Sequence, residues 1–172
     1  MLIHQRVGGQ VMNKEEQVIA GIRDLFNKKA SLNKFKMENS FKGLKSLEVH
    51  CIEYIGGHVD PNVTKLAESF YVTRGAISKI AKKLINKGII ESYQKADNKK
   101  EIYFRLTEQG EVINKVHEKL HKEFQERDKA LFEQVTEEQF DGMLSFIEKY
   151  SSHLDTEIKK QGVGLTNRNN FE

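Results

Sequence analysis

Residues 62–110 decide the fold and read NVTKLAESFYVTRGAISKIAKKLINKGIIESYQKADNKKEIYFRLTEQG. Asn62 is a suitable N-cap for a short helix that continues to Ser69. Thr73 is a suitable N-cap for a longer helix, and Gly88 lies where that helix should end. A short capped helix, a tight turn and a longer helix with lysines on its outer face are typical of a helix-turn-helix.

The periodicity of the sequence changes after Gly88. Residues 89–93 form one β-prone run, residues 102–106 form a second, and the polar segment between them is rich in turn formers. This arrangement predicts a β-hairpin, which is called a wing when it directly follows a helix-turn-helix. We therefore expect a mostly α fold of the α+β winged-helix type, with further helices before and after it.

Composition restricts the class of protein. Of the 172 residues, 38% are hydrophobic and 31% are charged, which suits a globular domain with a charged surface. No apolar run is long enough to span a membrane, and the N-terminus lacks a signal peptide. The single cysteine, Cys51, excludes an intrachain disulfide and a zinc ribbon. We expect a soluble cytoplasmic protein without a membrane partner.

Positive charge is concentrated in the centre of the chain. Residues 62–105 hold ten basic and four acidic side chains, a net charge of +6, whereas the whole chain carries only +3. A basic centre between neutral or acidic arms indicates binding to a polyanion. A face of solvated lysines explains the same charges without a partner, and charge alone does not separate the two interpretations.

The longer helix has the properties of a helix that reads double-stranded DNA. An α-helix fits the major groove, and its N-terminal residues reach the base edges. We expect Arg74 to pair with guanine, Lys79 to reach a base or a phosphate, and Gly75 to allow a close approach. The candidate DNA-binding residues are Asn62, Thr64 and Lys65 in the short helix, Thr73, Arg74, Gly75, Ser78, Lys79, Lys82 and Lys83 in the longer helix, and Lys99 and Lys100 in the wing. A winged helix that docks on another protein is the alternative.

Three features occur together in this order: the segment LAESFYVTRGAISKIAKKLINKGII, a wing with an acidic residue before its lysines, and FRLTEQG at the start of the next helix. Together they resemble the winged helix of the multiple-antibiotic-resistance regulator (MarR) family. With the flanking helices, the resemblance covers about residues 13–160. It implies a homodimeric transcriptional regulator, usually a repressor, on a palindromic operator. The chain departs from the family at Asn98 and Lys99, where arginine is usual, and at Tyr71, where many helix-turn-helix proteins have glycine.

The resemblance and the helical periodicity predict five segments. They are an unstructured extension or appended residues at 1–12, an N-terminal dimerisation helix and linker at 13–43, the winged helix-turn-helix DNA-binding domain at 44–106, C-terminal dimerisation helices at 107–160, and a flexible tail at 161–172. Within the first helical segment, we expect a helix to about residue 29 and a broken helix or loop after it. The last helices carry more apolar side chains than a lone winged helix needs to bury, which favours a homodimer.

The histidines indicate an effector site. His117 and His121 lie four residues apart on one helix face, a spacing that is common among metal ligands. The chain resembles the zinc-responsive MarR-family regulators of streptococci and lactococci, which implies zinc ligands at His50, His117 and His121. A carboxylate completes the site in those regulators, and we assign Glu38 to this role. The alternatives are structural histidines with a small organic effector, or no effector and no required cofactor.

Motifs for catalysis are missing. The sequence has no glycine-rich phosphate loop, no HExxH motif and no nucleophile elbow, so we expect no enzyme, and a metal-dependent enzyme is the least favoured alternative. His50, Cys51 and Glu53 resemble a catalytic set only in sequence, because consecutive residues of a helix point in different directions. Cys51 is a candidate redox switch, but its apolar helix predicts that it is buried.

Overall fold

The computed structural model describes residues 6–7 and 10–160, which divide into two compact units at Gly43. The first unit ends at Gly43, and the second begins at Leu44. None of the described helices is long and apolar enough to cross a lipid bilayer. The flexible tail expected at residues 161–172 lies outside the described residues.

The first unit contains a small hairpin and one long helix. Strand β1 (Arg6–Val7) pairs antiparallel with β2 (Gln10–Val11). Helix α1 (Lys14–Ser40) begins with a capping box, in which the side chains of Asn13 and Glu16 each accept a hydrogen bond from the other residue's backbone N–H. This capping box confirms the predicted start of the helix.

Two expectations for the first unit are wrong. We expected no regular structure in residues 1–12, but β1 and β2 lie within that range. We expected a break after about residue 29, but α1 continues to Ser40. No glycine or proline occurs between Gly21 and Gly43, and the Ala, Leu, Lys, Met and Glu residues there outweigh the intervening Ser and Asn. The helix ends three residues before Gly43, whose φ of 82° is left-handed.

The second unit contains the helix-turn-helix, the wing and two long helices. Its elements are α2 (Ser46–Gly57), α3 (Val63–Ser69), α4 (Arg74–Asn86), β3 (Ile90–Tyr93), β4 (Tyr103–Leu106), α5 (Glu108–Phe132) and α6 (Glu137–Lys160). Most of the described residues are helical, so the fold is mostly α as predicted.

Two side-chain caps and a left-handed turn shape the helix-turn-helix. Asn62 Oδ1 accepts a hydrogen bond from the N–H of Lys65 (2.9 Å) at the start of α3. Thr73 Oγ1 accepts one from the N–H of Ala76 (3.2 Å) at the start of α4. Tyr71, between the helices, has a φ of 52°, which costs a non-glycine residue about 1–2 kcal/mol. The tyrosine therefore occupies the conformation that glycine usually supplies.

The wing is held against the chain segment that precedes α3. Strands β3 and β4 are antiparallel, with Tyr93 opposite Tyr103. The N–H of Phe104 donates to the carbonyl of Pro61 (2.9 Å), and Asn62 forms an isolated β-bridge with Tyr103. The connection from α2 to α3 therefore acts as a short third strand of the wing sheet.

One apolar core joins α2, the helix-turn-helix and the wing. Its side chains with at most 1% exposure include Ile52, Leu66, Ile77, Leu84 and Ile90. Helix α5 packs closely here, because a Cβ on Gly110 would lie only 2.2 Å from the carbonyl oxygen of Ile89. Helices α3 and α4 contribute Leu66, Ala67, Ile77, Ala81 and Leu84 to this core.

The last two helices leave apolar side chains exposed. In α6 no residue is buried, and Leu144 and Ile147 are 61% and 58% exposed. At the end of α5, Leu131 and Phe132 are 62% and 52% exposed. Clustered apolar surface of this kind is typical of an interaction site.

Candidate nucleic-acid interface and histidine cluster

One side of α4 gathers five of the twelve predicted DNA-binding residues. They are Arg74, Gly75, Ser78, Lys79 and Lys82, and all five are exposed. Residues spaced by four lie on one side of a helix, so three successive turns form a single polar and basic surface, here called the α4 surface. The Ser78 hydroxyl donates to the carbonyl of Arg74 (2.9 Å), and Thr73 caps the helix.

Gly75 is not required by the packing of the described chain. A Cβ built at this position would meet no atom nearer than Thr73 Oγ1, at 4.0 Å. Its φ is not left-handed either, so an alanine would fit without strain. The bare backbone at this point of the α4 surface therefore has no explanation within the fold.

The structure corrects the prediction for Lys83. Its Nζ lies 2.5 Å from Oε1 of Glu48, a side chain of α2 that is only 4% exposed. Burial disfavours the ionised carboxylate, but hydrogen bonds from Lys83 and from the N–H of Lys45 outweigh burial and lower the pKa of Glu48. The charges of Lys83 and Lys87 act in the same direction. Lys83 therefore neutralises a buried carboxylate, and we assign it to the fold and not to the interface.

The predicted residues of α3 differ in their availability. The side chain of Asn62 caps α3 and donates to Glu101 Oε2 (3.3 Å), so it connects the start of α3 to the wing. Lys65 Nζ donates to the carbonyls of Val59 (3.3 Å) and Asp60 (3.1 Å). Neither acceptor is a carboxylate, and the Lys65 side chain remains exposed at the surface. Thr64 is partly buried beside it.

The tip of the wing is shaped by its own hydrogen bonds. Asn98 Oδ1 accepts from the backbone N–H groups of Lys100 (3.2 Å) and Glu101 (3.3 Å). Gln94 Nε2 donates to the carbonyl of Lys99 (2.7 Å). The side chains of Lys99 and Lys100 are exposed, and neither forms an ion pair within residues 10–160. The tip thus presents two free ammonium groups on an ordered loop.

Three histidines and one glutamate meet where α2 packs on α5. Potential ligand atoms of His50, Glu53 and His117 all lie within 4.8 Å of one another. Glu53 Oε2 is 3.4 Å from Nδ1 of His50, and Glu53 Oε1 is 3.7 Å from Nδ1 of His117. The Nε2 atoms of His117 and His121 are 3.1 Å apart. These four residues, here called the histidine cluster, offer imidazole and carboxylate donors suited to a divalent transition metal.

His117 is the buried member of the histidine cluster, with 1% exposure. Burial lowers the pKa of His117, and the neighbouring His121 and His50 lower it further, although Glu53 partly opposes them. A neutral imidazole keeps the lone pair that binds a metal ion. The electrostatics of the cluster therefore favour the metal-binding form of His117.

Glu53 was missed by the sequence analysis. We expected the side chains of His50, Cys51 and Glu53 to point in different directions. This is correct for Cys51, which points into the core. It is wrong for His50 and Glu53, because residues three apart share a helix face. That spacing was the available signal. Glu38 lies in α1, where its carboxylate is 3.9 Å from Lys34 Nζ, and its role as a metal ligand stays a prediction.

Cys51 is buried in the core and is not part of the histidine cluster. Its side chain is part of the apolar core, and its relative exposure is 1%. Burial, with a smaller effect from the charge of Glu48, raises the pKa of Cys51 to about 12. The thiol is therefore protonated and shielded near neutral pH, which opposes a role as a redox switch.

The family model for MarR matches residues 44–102, from just before α2 to the residue before β4. These residues are similar to the winged helix of that family. The match confirms the resemblance inferred from the sequence, including the segment that contains the α4 surface.

Two curated proteins of Bacillus subtilis (strain 168) are similar to the chain over 109 residues. The HTH-type transcriptional regulator PchR is 37% identical and the HTH-type transcriptional regulator YhjH is 35% identical. Each match covers 63% of this chain, 64% of PchR and 62% of YhjH. The chain thus spans just under two thirds of the length of the curated relatives that it matches.

The likeness in structure extends beyond the winged helix. The crystal structure of Streptococcus pneumoniae FabT in complex with DNA matches with a TM-score of 0.71 at 22% sequence identity. The match covers 83% of this chain and 99% of the FabT chain. It confirms that the winged helix and its additional helices form a known fold.

Proposed function

We propose that this chain is a sequence-specific DNA-binding transcriptional regulator that acts as a repressor. The α4 surface carries the proposal, because a capped helix presents a guanidinium group, a bare backbone position and two ammonium groups on one exposed face. The names of PchR and YhjH and the DNA in the FabT structure support it. Such a regulator works in the cytoplasm and has no catalytic role.

In the proposed complex, α4 enters the major groove with its N-terminus toward the base edges. Arg74 can donate two hydrogen bonds to O6 and N7 of a guanine, while Gly75 lets the backbone approach closely. Lys79 and Lys82 lie further along the same surface and can neutralise phosphates. The wing lysines extend these contacts to the neighbouring backbone or minor groove.

We also propose that the chain acts as a homodimer on a palindromic operator. The exposed apolar side chains of α5 and α6 support a second copy as the partner, as do Leu25 and Phe26 of α1, which are 67% and 76% exposed. Association would remove these side chains from water. A two-fold axis would then place two α4 helices on half-sites about 34 Å apart, one turn of DNA.

The test of DNA binding is a titration against a duplex of about 30 base pairs from upstream of the chain's own gene, long enough for two half-sites. A scrambled duplex of equal composition reports nonspecific binding. We expect affinity for the upstream duplex to fall steeply with salt, because bound phosphates release counterions. Arg74→Ala should lose specific affinity, whereas Lys119→Ala, an exposed lysine of α5 outside the interface, should not.

Two results would contradict the proposal. Equal affinity for both duplexes would remove the sequence specificity. No binding to either duplex, or to duplexes selected from a randomised pool, would favour a winged helix that docks on another protein.

The test of the dimer is sedimentation equilibrium of the unchanged chain and of Leu144→Glu. We expect a dimer that dissociates in the variant, because a charge at this exposed α6 position would be buried by association. Lys149→Glu, at an exposed polar position of the same helix, is the matched control. A monomer at all concentrations would contradict the proposal.

We further propose that the histidine cluster binds a divalent metal ion, with zinc as the first candidate, and that the ion modulates DNA binding. The grouping of ligand atoms from His50, Glu53 and His117 supports a metal site, and His121 lies beside it, with its Nε2 3.1 Å from Nε2 of His117. The cluster joins α2 of the winged helix to α5. An ion held there would fix the packing of these two helices and could thereby bias the position of α4.

The metal proposal is tested by repeating the DNA titration with zinc and with a chelator. We expect zinc to shift the DNA affinity of the unchanged chain and to have no effect on His117→Ala. Zinc binding without any shift would limit the cluster to a structural metal site. Absence of zinc binding would contradict the metal proposal and favour an organic effector, or none.

A further inference from the structure

Asp60 connects the wing to the helix-turn-helix through its carboxylate. Tyr93, the last residue of β3, donates from its hydroxyl to Asp60 Oδ1 (2.9 Å). Lys95, two residues further into the wing, donates to the other oxygen, Oδ2. Asp60 itself lies between α2 and α3, so one side chain ties the base of the wing to the segment that leads into the helix-turn-helix.

The backbone conformation at Asp60 suits an aspartate. Its φ of 51° is left-handed, a conformation that aspartate and asparagine tolerate better than most residues. Hydrogen bonds from Lys95 and Tyr93 lower the pKa of Asp60, so the carboxylate is ionised at neutral pH. The side chain is 23% exposed, which shields the pair from solvent in part.

A second set of bonds works in parallel with Asp60. Glu101, beyond the wing tip, accepts from the Tyr103 hydroxyl (2.8 Å) and from Asn62 (3.3 Å). The ammonium group of Lys95 lies 5.3 Å from the centre of the Tyr103 ring. Both sides of the wing are therefore attached to the short segment before α3. Two four-residue strands alone would be only marginally stable in water.

We propose that Asp60 is a positioning residue for DNA binding, an inference that rests on the proposed function. It fixes the wing so that Lys99 and Lys100 reach the DNA backbone while α4 occupies the major groove. Lys95 is neutralised by Asp60 and is not a DNA contact. Preorganisation of this kind raises affinity because the loop does not lose its freedom on binding.

The experiment compares Asp60→Asn with Glu91→Gln in the full chain. Asparagine keeps the shape of the side chain and tolerates the left-handed backbone. Glu91 is a matched control, because it pairs with Arg105 across the hairpin (2.6 Å) and both residues belong to the wing. Both changes remove one negative charge, which by electrostatics alone should strengthen binding to DNA.

We expect the two variants to change DNA affinity in opposite directions. Glu91→Gln should bind the upstream duplex as tightly as the unchanged chain or more tightly, whereas Asp60→Asn should bind it about three- to tenfold more weakly, a range comparable to one or two surface contacts. The slope of log affinity against log salt should decrease by up to about 1.8, the value for two lost phosphate contacts. Lys99→Ala/Lys100→Ala should give the same decrease and add little in the Asp60→Asn background.

The outcomes separate this inference from the proposed function. Asp60→Asn that behaves like Glu91→Gln, or lysine effects that stay fully additive, would overturn the role of Asp60 and leave DNA binding intact. Loss of binding in Asp60→Asn together with rapid amide exchange at Phe104 would show that the wing has unfolded in this variant. In that case Tyr93→Phe is the second test. It keeps the ion pair between Asp60 and Lys95, and it should bind DNA normally. Absence of salt-dependent binding by the unchanged chain would overturn the proposed function and this inference together.

Discussion

Lys83 Nζ on α4 lies 2.5 Å from Oε1 of Glu48 on α2. The carboxylate is almost fully buried, and its second oxygen accepts from the N–H of Lys45 (3.2 Å). The helix that carries the proposed DNA-binding surface is therefore attached to α2 by an ion pair through Lys83. The same α2 helix also carries His50 and Glu53 of the histidine cluster.

The first prediction concerns the pH dependence of stability. The pKa of Glu48 is lower in the folded chain than its ordinary value, so the ionised carboxylate stabilises the fold above that ordinary value. This contribution is lost as the pH falls through the lowered pKa. Glu48→Gln should reduce the free energy of unfolding by about 1–3 kcal/mol at pH 7. Urea unfolding between pH 7 and about pH 3 should show the gap closing as the pH falls, and a constant gap would contradict the assignment.

The second prediction separates Lys83 from its neighbour Lys82. Lys83→Met should lower stability by about 1–3 kcal/mol, because Glu48 is left buried without its partner, while the salt dependence of DNA binding stays unchanged. Lys82→Met should leave stability within about 0.5 kcal/mol and reduce the salt slope by about 0.9. Thermal unfolding and DNA titrations measure both. The reverse pattern would restore Lys83 to the interface.

The third prediction concerns Gly75. Alanine fits there and favours the helix, so Gly75→Ala should not destabilise the chain and should add up to about 1 kcal/mol. Its methyl group would meet the DNA, and affinity should fall about tenfold or more. Gly142→Ala in α6, where a Cβ also meets no atom within 4 Å, is the control for helix stability alone. Unchanged DNA affinity in Gly75→Ala would remove the need for close approach.

The fourth prediction concerns the reactivity of Cys51. With its pKa raised to about 12 and its side chain buried, the thiol should react with a disulfide reagent only when the core opens. Labelling at pH 7 should be slow and should accelerate with urea in proportion to the unfolded fraction. Cys51→Ser supplies the blank. Rapid labelling of the folded chain would contradict this prediction and favour a redox switch at Cys51.

The fifth prediction distinguishes two carboxylates as zinc ligands. Glu53→Gln should weaken zinc binding at least about tenfold, because the variant keeps the shape but loses the anionic donor. Glu38→Gln should have no effect. Titration against a competing chelator measures both, and circular dichroism checks that the fold is retained. Loss of affinity in Glu38→Gln alone would establish the carboxylate expected from the sequence and remove Glu53 from the site.

Much of the fold was predictable because its signals are local. The caps at Asn13, Asn62 and Thr73 each bond within three residues along the chain, so the sequence shows where the helices begin. The exposed face of α4 follows from helical periodicity in the same way. The length of α1 was not predicted, since weak helix formers between residues 30 and 40 are outweighed by their neighbours only when summed over the whole helix.

The sequence by itself determined the winged-helix fold, the positions of the caps and the basic face of α4. Only the tertiary structure decided which charges on that region remain free. Lys83 and Glu48 are 35 residues apart in the chain, and Asp60 is 33 residues from Tyr93. Such pairs depend on how helices and strands pack, which periodicity does not specify. Local hydrogen bonds and apolar spacing thus encode the elements, whereas burial and contacts between distant segments decide whether a lysine binds a partner or supports the core.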